Sequence, residues 1–98
     1  MNTIIEKDIE AYLCDQVQRL GGVAEKVVSL NGRGFFDRLV VLPGGRVIFC
    51  EVKKPRGSRL APHQFLRANT YRALGVEVAL VKSKAAVDAL LTRLTSGA

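Results

Sequence analysis

Acidic residues are scarce in this 98-residue chain once its first third is past. Residues 1–31 hold five acids against three bases, a net charge of −2, while residues 32–98 hold four acids against twelve bases, a net +8. Cysteine is scarce too. Cys14 and Cys50 are the only two, which excludes a disulfide framework, and no CxxC or Cys/His cluster points to zinc. Cys50 lies in an apolar, strand-like run, where a buried reduced thiol is expected. Aromatic content of 6% argues against a groove that stacks single strands. Phe35, Phe36, Phe49 and Phe65 therefore read as core or dimer surface. No apolar run is long enough to span a bilayer and no signal peptide is evident, so a cytoplasmic protein of a bacterial or phage-infected cell is expected.

What is present suits a globular protein: 48% hydrophobic and 24% charged residues. Disorder is not expected over most of the length. The length predicts a single domain over residues 1–98, with a core small enough that dimerisation would help it. The overall +6 charge, concentrated as it is, points to a polyanionic partner.

Residues 4–20 read as a helix, because Ile5, Ile9, Tyr12, Leu13, Val17 and Leu20 recur at helical spacing. Thr3 and Glu6 match a capping box, and Gly21-Gly22 stops the helix. Val23 to Leu30 is a strand candidate, followed by the turn-forming run Asn31-Gly32-Arg33-Gly34. Asp37 to Leu42 and Arg46 to Lys53 read as two strands of a hairpin closed by Pro43-Gly44-Gly45. A second helix is predicted from Pro62 to about Leu74, ended by Gly75. Val76 to Val81 reads as a strand buried on both faces. Ser83 caps a last helix whose inward stripe is Val87, Leu90, Leu91 and Leu94. The order αβββαβα predicts an α/β fold: a mixed sheet, antiparallel first and parallel across the second helix, flanked by helices.

The hairpin brings chemistry together. A three-residue loop pairs Leu42 with Arg46, and counting outward sets Asp37 opposite Glu51. Opposed residues share a sheet face with Cβ atoms roughly 5 Å apart. Lys53, two residues beyond Glu51, points to the same face. Two carboxylates so close need a shared proton or a cation. Hard oxygen donors with a gap between them suit Mg²⁺ or Mn²⁺, and the Val52 carbonyl is a further candidate ligand. Lys53 would hold the attacking water or offset charge on a phosphate.

Gly34-Phe35-Phe36-Asp37-Arg38, then Glu51-Val52-Lys53, then Gln64 after a basic loop resemble the VRR-NUC domain of the PD-(D/E)XK nuclease superfamily. The resemblance runs from about Glu6 to about Leu94. It implies a restriction-endonuclease-like mixed β-sheet flanked by helices and metal-dependent phosphodiester hydrolysis. Stand-alone members of this size resemble phage or prophage proteins, form homodimers and are linked to Holliday-junction-type DNA. By position, Asp37 and Glu51 would be metal ligands, Lys53 the catalytic lysine and Gln64 a glutamine beside the site. The family usually has proline before the aspartate, where this chain has Phe36; that proline stiffens the strand entry but supplies no ligand. A glutamate of the first helix completes the family's site. Glu6 and Glu10 both compete for it, and Glu10 is preferred because Glu6 already serves the capping box.

Lys54, Arg56 and Arg59 form the loop after the E-x-K strand and are expected to bind flanking phosphates, with Arg33 and Arg38 approaching from the other side. Lys26 leans toward the rim of the site. His63, the only histidine, reads as a surface residue, since Lys53 already fills the need it would serve. Two other functions fit less well. A non-catalytic DNA-binding module would be expected to have lost one of Asp37, Glu51 and Lys53. A restriction-type enzyme would need a reading domain for which the chain is short.

Overall fold

The computed structural model describes residues 5–28, 36–57 and 60–96. Thr3, the Asn31–Gly34 turn, Arg33, Phe35 and Arg59 lie outside the described residues. Three helices, α1 (Glu6–Arg19), α2 (Pro62–Ala73) and α3 (Lys84–Thr95), accompany four strands, β1 (Val23–Lys26), β2 (Arg38–Leu42), β3 (Arg46–Val52) and β4 (Val78–Val81). The sheet order is β1-β2-β3-β4, antiparallel except for the parallel β3–β4 pair. The αβββαβα order and the mixed α/β sheet are as the sequence predicts.

The hairpin explains its own register. Gly45 N–H donates to Leu42 O at 3.2 Å, with Pro43 and a left-handed Gly44 (φ 88°) between them. That is a type II turn, which proline and glycine favour at these two positions. The turn pairs Leu42 with Arg46, and the ladder then runs to Arg38 opposite Cys50.

Each sheet face has its own cover. Val40 and Leu42 of β2, Ile48, Cys50 and Val52 of β3 and Val81 of β4 pack against Ile9, Leu13 and Val17 of α1 and Val87, Leu90, Leu91 and Leu94 of α3. The opposite face carries Phe49 and Val78, covered by Ala68 and Tyr71 of α2, with Phe36 buried between them. The three rings of Phe36, Phe49 and Tyr71 meet at centroid distances of 5.0–5.8 Å, in tilted or edge-on contact. Phe36 thus anchors the entry to β2 by aromatic packing, in the place where a proline would do so by stiffness.

Several boundaries differ from the sequence reading. The N-cap of α1 is Ile5, whose N–H donates to Asp8 Oδ2 at 3.1 Å. An isoleucine cannot accept a return bond, so this is half a capping box, and Glu6 has no part in it. Ile5 is 49% exposed rather than part of the inward stripe. β1 ends at Lys26, short of the predicted Leu30, and β4 starts at Val78 rather than Val76. β4 is covered on one side only where Leu80 stands, 40% exposed. Ser83 caps α3 as expected, its Oγ accepting from Ala86 N–H at 3.0 Å.

Both outer strands have a carbonyl turned away from the sheet and met by an arginine. Val27 N–H donates to Asp37 O, so odd-numbered residues of β1 face β2 and Ala24 O points outward. Arg38 Nη1 reaches Ala24 O at 3.0 Å. Phe49 and Lys53 donate to Glu77 O and Val81 O, so Val78 O points off the other edge. Arg72 Nη2 bonds it at 2.9 Å.

Candidate active site

β2 and β3 carry the site past the end of their ladder. Arg38 pairs with Cys50, so the next step outward sets Asp37 against Glu51. The ladder has ended there, and the Asp37 side chain takes over its work: Oδ2 accepts the Val52 N–H at 2.6 Å. In extended backbone the carbonyl of a residue points the same way as its N–H, so Val52 C=O is turned to the Asp37 side.

Glu51 is buried, with 4% of its surface exposed. Its carboxyl is raised from 4.5 to about 8, first by burial, then by a hydrogen bond with Asp37 and by the Asp37 charge. Lys53 pulls the other way and Glu6 adds to the rise. Burial and the neighbouring Asp37 charge therefore favour the protonated form of Glu51. Gln64 joins from α2. Its Nε2 donates to Glu51 Oε2 at 3.2 Å, while its Oε1 accepts the Ala61 N–H at 2.9 Å and caps the helix. The two bonds assign the orientation of the amide.

The first helix departs from the expectation. Glu10 Oε2 accepts from Arg38 Nε at 2.7 Å and from Lys26 Nζ at 3.2 Å. Arg38 neighbours Asp37 in sequence, so its side chain lies on the other sheet face. Glu10 is therefore tied up across the sheet from Glu51. The ground for passing over Glu6 has gone as well, since Asp8 fills the cap. Glu6 is the α1 acid whose charge Glu51 feels. Strand alternation held the clue: an arginine next to the site aspartate must point to the α1 face and find an acid there.

Arg38 is likewise removed from the expected phosphate binders, because Glu10 and Ala24 O hold it. Lys26 leaves the site rim for the same Glu10. Lys54 and Arg56 are exposed on the loop after β3, and His63 is exposed on the first turn of α2. Arg33 and Arg59 lie outside the described residues.

Among the described residues no three His, Cys, Asp or Glu side chains gather as a metal cage. Two carboxylates and a backbone carbonyl are what the site offers. That set fits Mg²⁺ or Mn²⁺, which bind through one or two carboxylates and leave positions for water and phosphate.

No family model matches the chain. A solved structure described as a "VRR_NUC domain" superposes with a TM-score of 0.80 at 37% identity, over 88% of this chain and 92% of that one. The "Putative nuclease p44" of Acyrthosiphon pisum secondary endosymbiont phage 1 is 42% identical over 84 residues, 86% of this chain and 89% of that protein. The chain belongs to the VRR-NUC family. Its α/β fold is that of the VRR-NUC structure, and its coarse activity is that of a nuclease. The position of Phe36 in this VRR-NUC chain is filled by a core aromatic, and the aspartate after it still reaches Glu51.

Proposed function

We propose that this VRR-NUC chain is a divalent-metal-dependent endodeoxyribonuclease selective for branched DNA of the Holliday-junction type. It would work as a homodimer in the cytoplasm, so that a symmetric substrate meets two sites. The observation that carries the reading is the Asp37–Glu51 carboxyl pair, with Glu51 buried and hydrogen-bonded to Gln64, next to the acid-free basic stretch 52–76.

Asp37 and Glu51 would hold Mg²⁺ or Mn²⁺, with the Val52 carbonyl as a further oxygen. A bound ion there supplies Lewis acidity to the phosphate and lowers the pKa of water. The chain's own groups do the rest. Lys53 is on the same face as Glu51 and offsets negative charge on the phosphate oxygens as water adds to phosphorus and the sugar oxygen leaves. Gln64 holds Glu51 in one orientation. Glu6 supplies the α1 acid. Lys54 and Arg56, with Arg33 and Arg59, bind flanking phosphates.

The test is cleavage of synthetic four-way junctions, duplexes and single strands with Mg²⁺ or Mn²⁺. Wild type is expected to cut junctions, and Asp37→Ala and Lys53→Ala to lose at least about a hundredfold in rate. Glu6→Gln should weaken cutting, whereas Glu10→Gln should lower stability and leave cutting in place. Equal cutting by Asp37→Ala and wild type would refute the mechanism.

A further inference from the structure

Lys82 stands one residue past the end of β4, and nothing in the E-x-K motif points to it. The parallel pairing of β3 and β4 does. Phe49 N–H donates to Glu77 O, the bond that goes with the Phe49–Val78 pair. Lys53 N–H donates to Val81 O at 3.0 Å in the same pattern, so Lys53 has Lys82 as its cross-strand neighbour. Such neighbours share a sheet face, on strands about 4.8 Å apart. Counting along β4 agrees. Val78 lies under α2, Leu80 is paired with Glu51, and Lys82 follows on that same side. Two lysines therefore stand side by side at the Glu51 end of the sheet.

The place is open to a ligand and favours an anion. α2 covers Phe49 and Val78, but Leu80 beside Glu51 is 40% exposed, and Lys53 and Lys82 are half-buried rather than enclosed. Between Glu51 and Asp88 the chain has one acid, Glu77. It lies at the other end of β4, where Arg93 bonds it at 2.9 Å and Arg46 stands at 3.8 Å. Asp88 is on α3, on the opposite face, and accepts from the Tyr12 hydroxyl at 2.7 Å. Like charges set opposite each other repel, and phosphate oxygens among them relieve that. The same repulsion splays the two ammonium heads, so the pair suits neighbouring phosphates of one strand better than a single phosphate.

We propose that Lys82 grips the bound DNA strand at a phosphate beside the scissile one, as the partner of Lys53 across the sheet. This rests on the reading of the Asp37–Glu51 pair as a nuclease site. It adds a lysine that serves binding of the substrate strand, where Lys53 serves the reacting phosphate.

The full chain is titrated with a synthetic four-way junction in EDTA, where nothing is cut, over a range of salt concentrations. Lys82→Ala should bind about three- to tenfold more weakly at low salt and reduce the slope of log K against log salt by about 0.9, the share of one phosphate contact. Lys82→Arg should restore both. Lys82→Met keeps the apolar stem and should match Lys82→Ala, which guards against a loss that comes from packing or misfolding. Lys84→Ala removes the same charge two residues on, where the ammonium lies over the Tyr12 ring on the α1 side of the sheet, and should leave the slope unchanged. With Mn²⁺, Lys82→Ala should raise KM and leave kcat within about twofold, the mark of a contact made equally before and during reaction. A wild type that does not bind, a slope in Lys82→Ala and Lys82→Met equal to wild type, an equal fall in Lys84→Ala, or a fall in kcat with KM unchanged would overturn the proposal. A lowered slope in a protein that cuts nothing sinks the nuclease reading alone. Cutting with an unaltered slope and KM sinks the Lys82 grip alone.

Discussion

Glu51 is the one charged side chain that folding buries among the described residues. Its carboxyl moves from 4.5 to about 8. Between those values the folded chain keeps a proton that the unfolded chain has released. The contribution of Glu51 to stability is therefore full below pH 4.5 and is lost as pH rises toward about 8, by at most about 1.4 kcal/mol per pH unit. The cation proposed between the carboxylates would take the place of that proton. In EDTA the melting temperature should drop by several degrees between pH 5 and pH 8.5. Mn²⁺ should restore it, more at the upper end, and Glu51→Gln should flatten both curves. A melting temperature in EDTA that is constant across this range would contradict the buried pair.

Gln64 can be dissected by two substitutions. Glutamate at this position still accepts the Ala61 N–H, but it turns a carboxylate rather than an amide N–H toward Glu51. Gln64→Glu should keep the melting temperature of wild type at pH 5 and lose about 10–100-fold in cleavage or Mn²⁺ affinity. Gln64→Ala should also give up the cap, at a cost of about 1 kcal/mol by urea unfolding. If both variants cut as wild type does, Gln64 is only a helix cap.

At the scale of elements, Gly22, where α1 joins the sheet, is the most closely packed of the described glycines. A Cβ at Gly22 would meet the Val41 carbonyl at 2.5 Å and the Val17 and Leu42 side chains at 3.1 Å. Backbone must move to admit it, so Gly22→Ala should lose about 1–3 kcal/mol in urea unfolding. The hairpin and this join were legible in the sequence for the same reason. Proline and glycine at fixed spacing set loop length, and loop length sets register. The Asp37–Glu51 pairing then followed by counting. Which α1 acid faces Glu51 was not legible, because it turned on which residue caps the helix. A capping motif at Thr3–Glu6 competes with Ile5–Asp8, and spacing alone does not rank them. With Asp8 holding the cap, Glu10 pairs with Arg38, and Glu6 is the α1 acid whose charge Glu51 feels. Of the two places read for Phe65, core or dimer surface, its 56% exposure removes the core, because α2 spends its sheet-facing side on Gln64, Ala68 and Tyr71.

At the scale of the whole molecule, charge and fold point one way. The acid-rich α1 packs with α3 on one face, while the acid-free stretch from Val52 to Val76 supplies the loop and helix next to Glu51. The basic excess was legible as a number, but its placement beside the carboxyl pair needed the parallel β3–β4 pairing that carries α2 across the sheet. A four-stranded open sheet must also live with two borders. Arg38 and Arg72 each occupy an outward carbonyl there. Such carbonyls are the footholds on which a stray strand begins to add. The short apolar β4, Val78 to Val81, bears no charge of its own to repel one. Arg72 thus bears on how long a concentrated solution of this protein stays clear. Arg72→Ala should scatter light and bind an amyloid dye over days of storage at concentrations where wild type remains transparent, with its nuclease chemistry untouched.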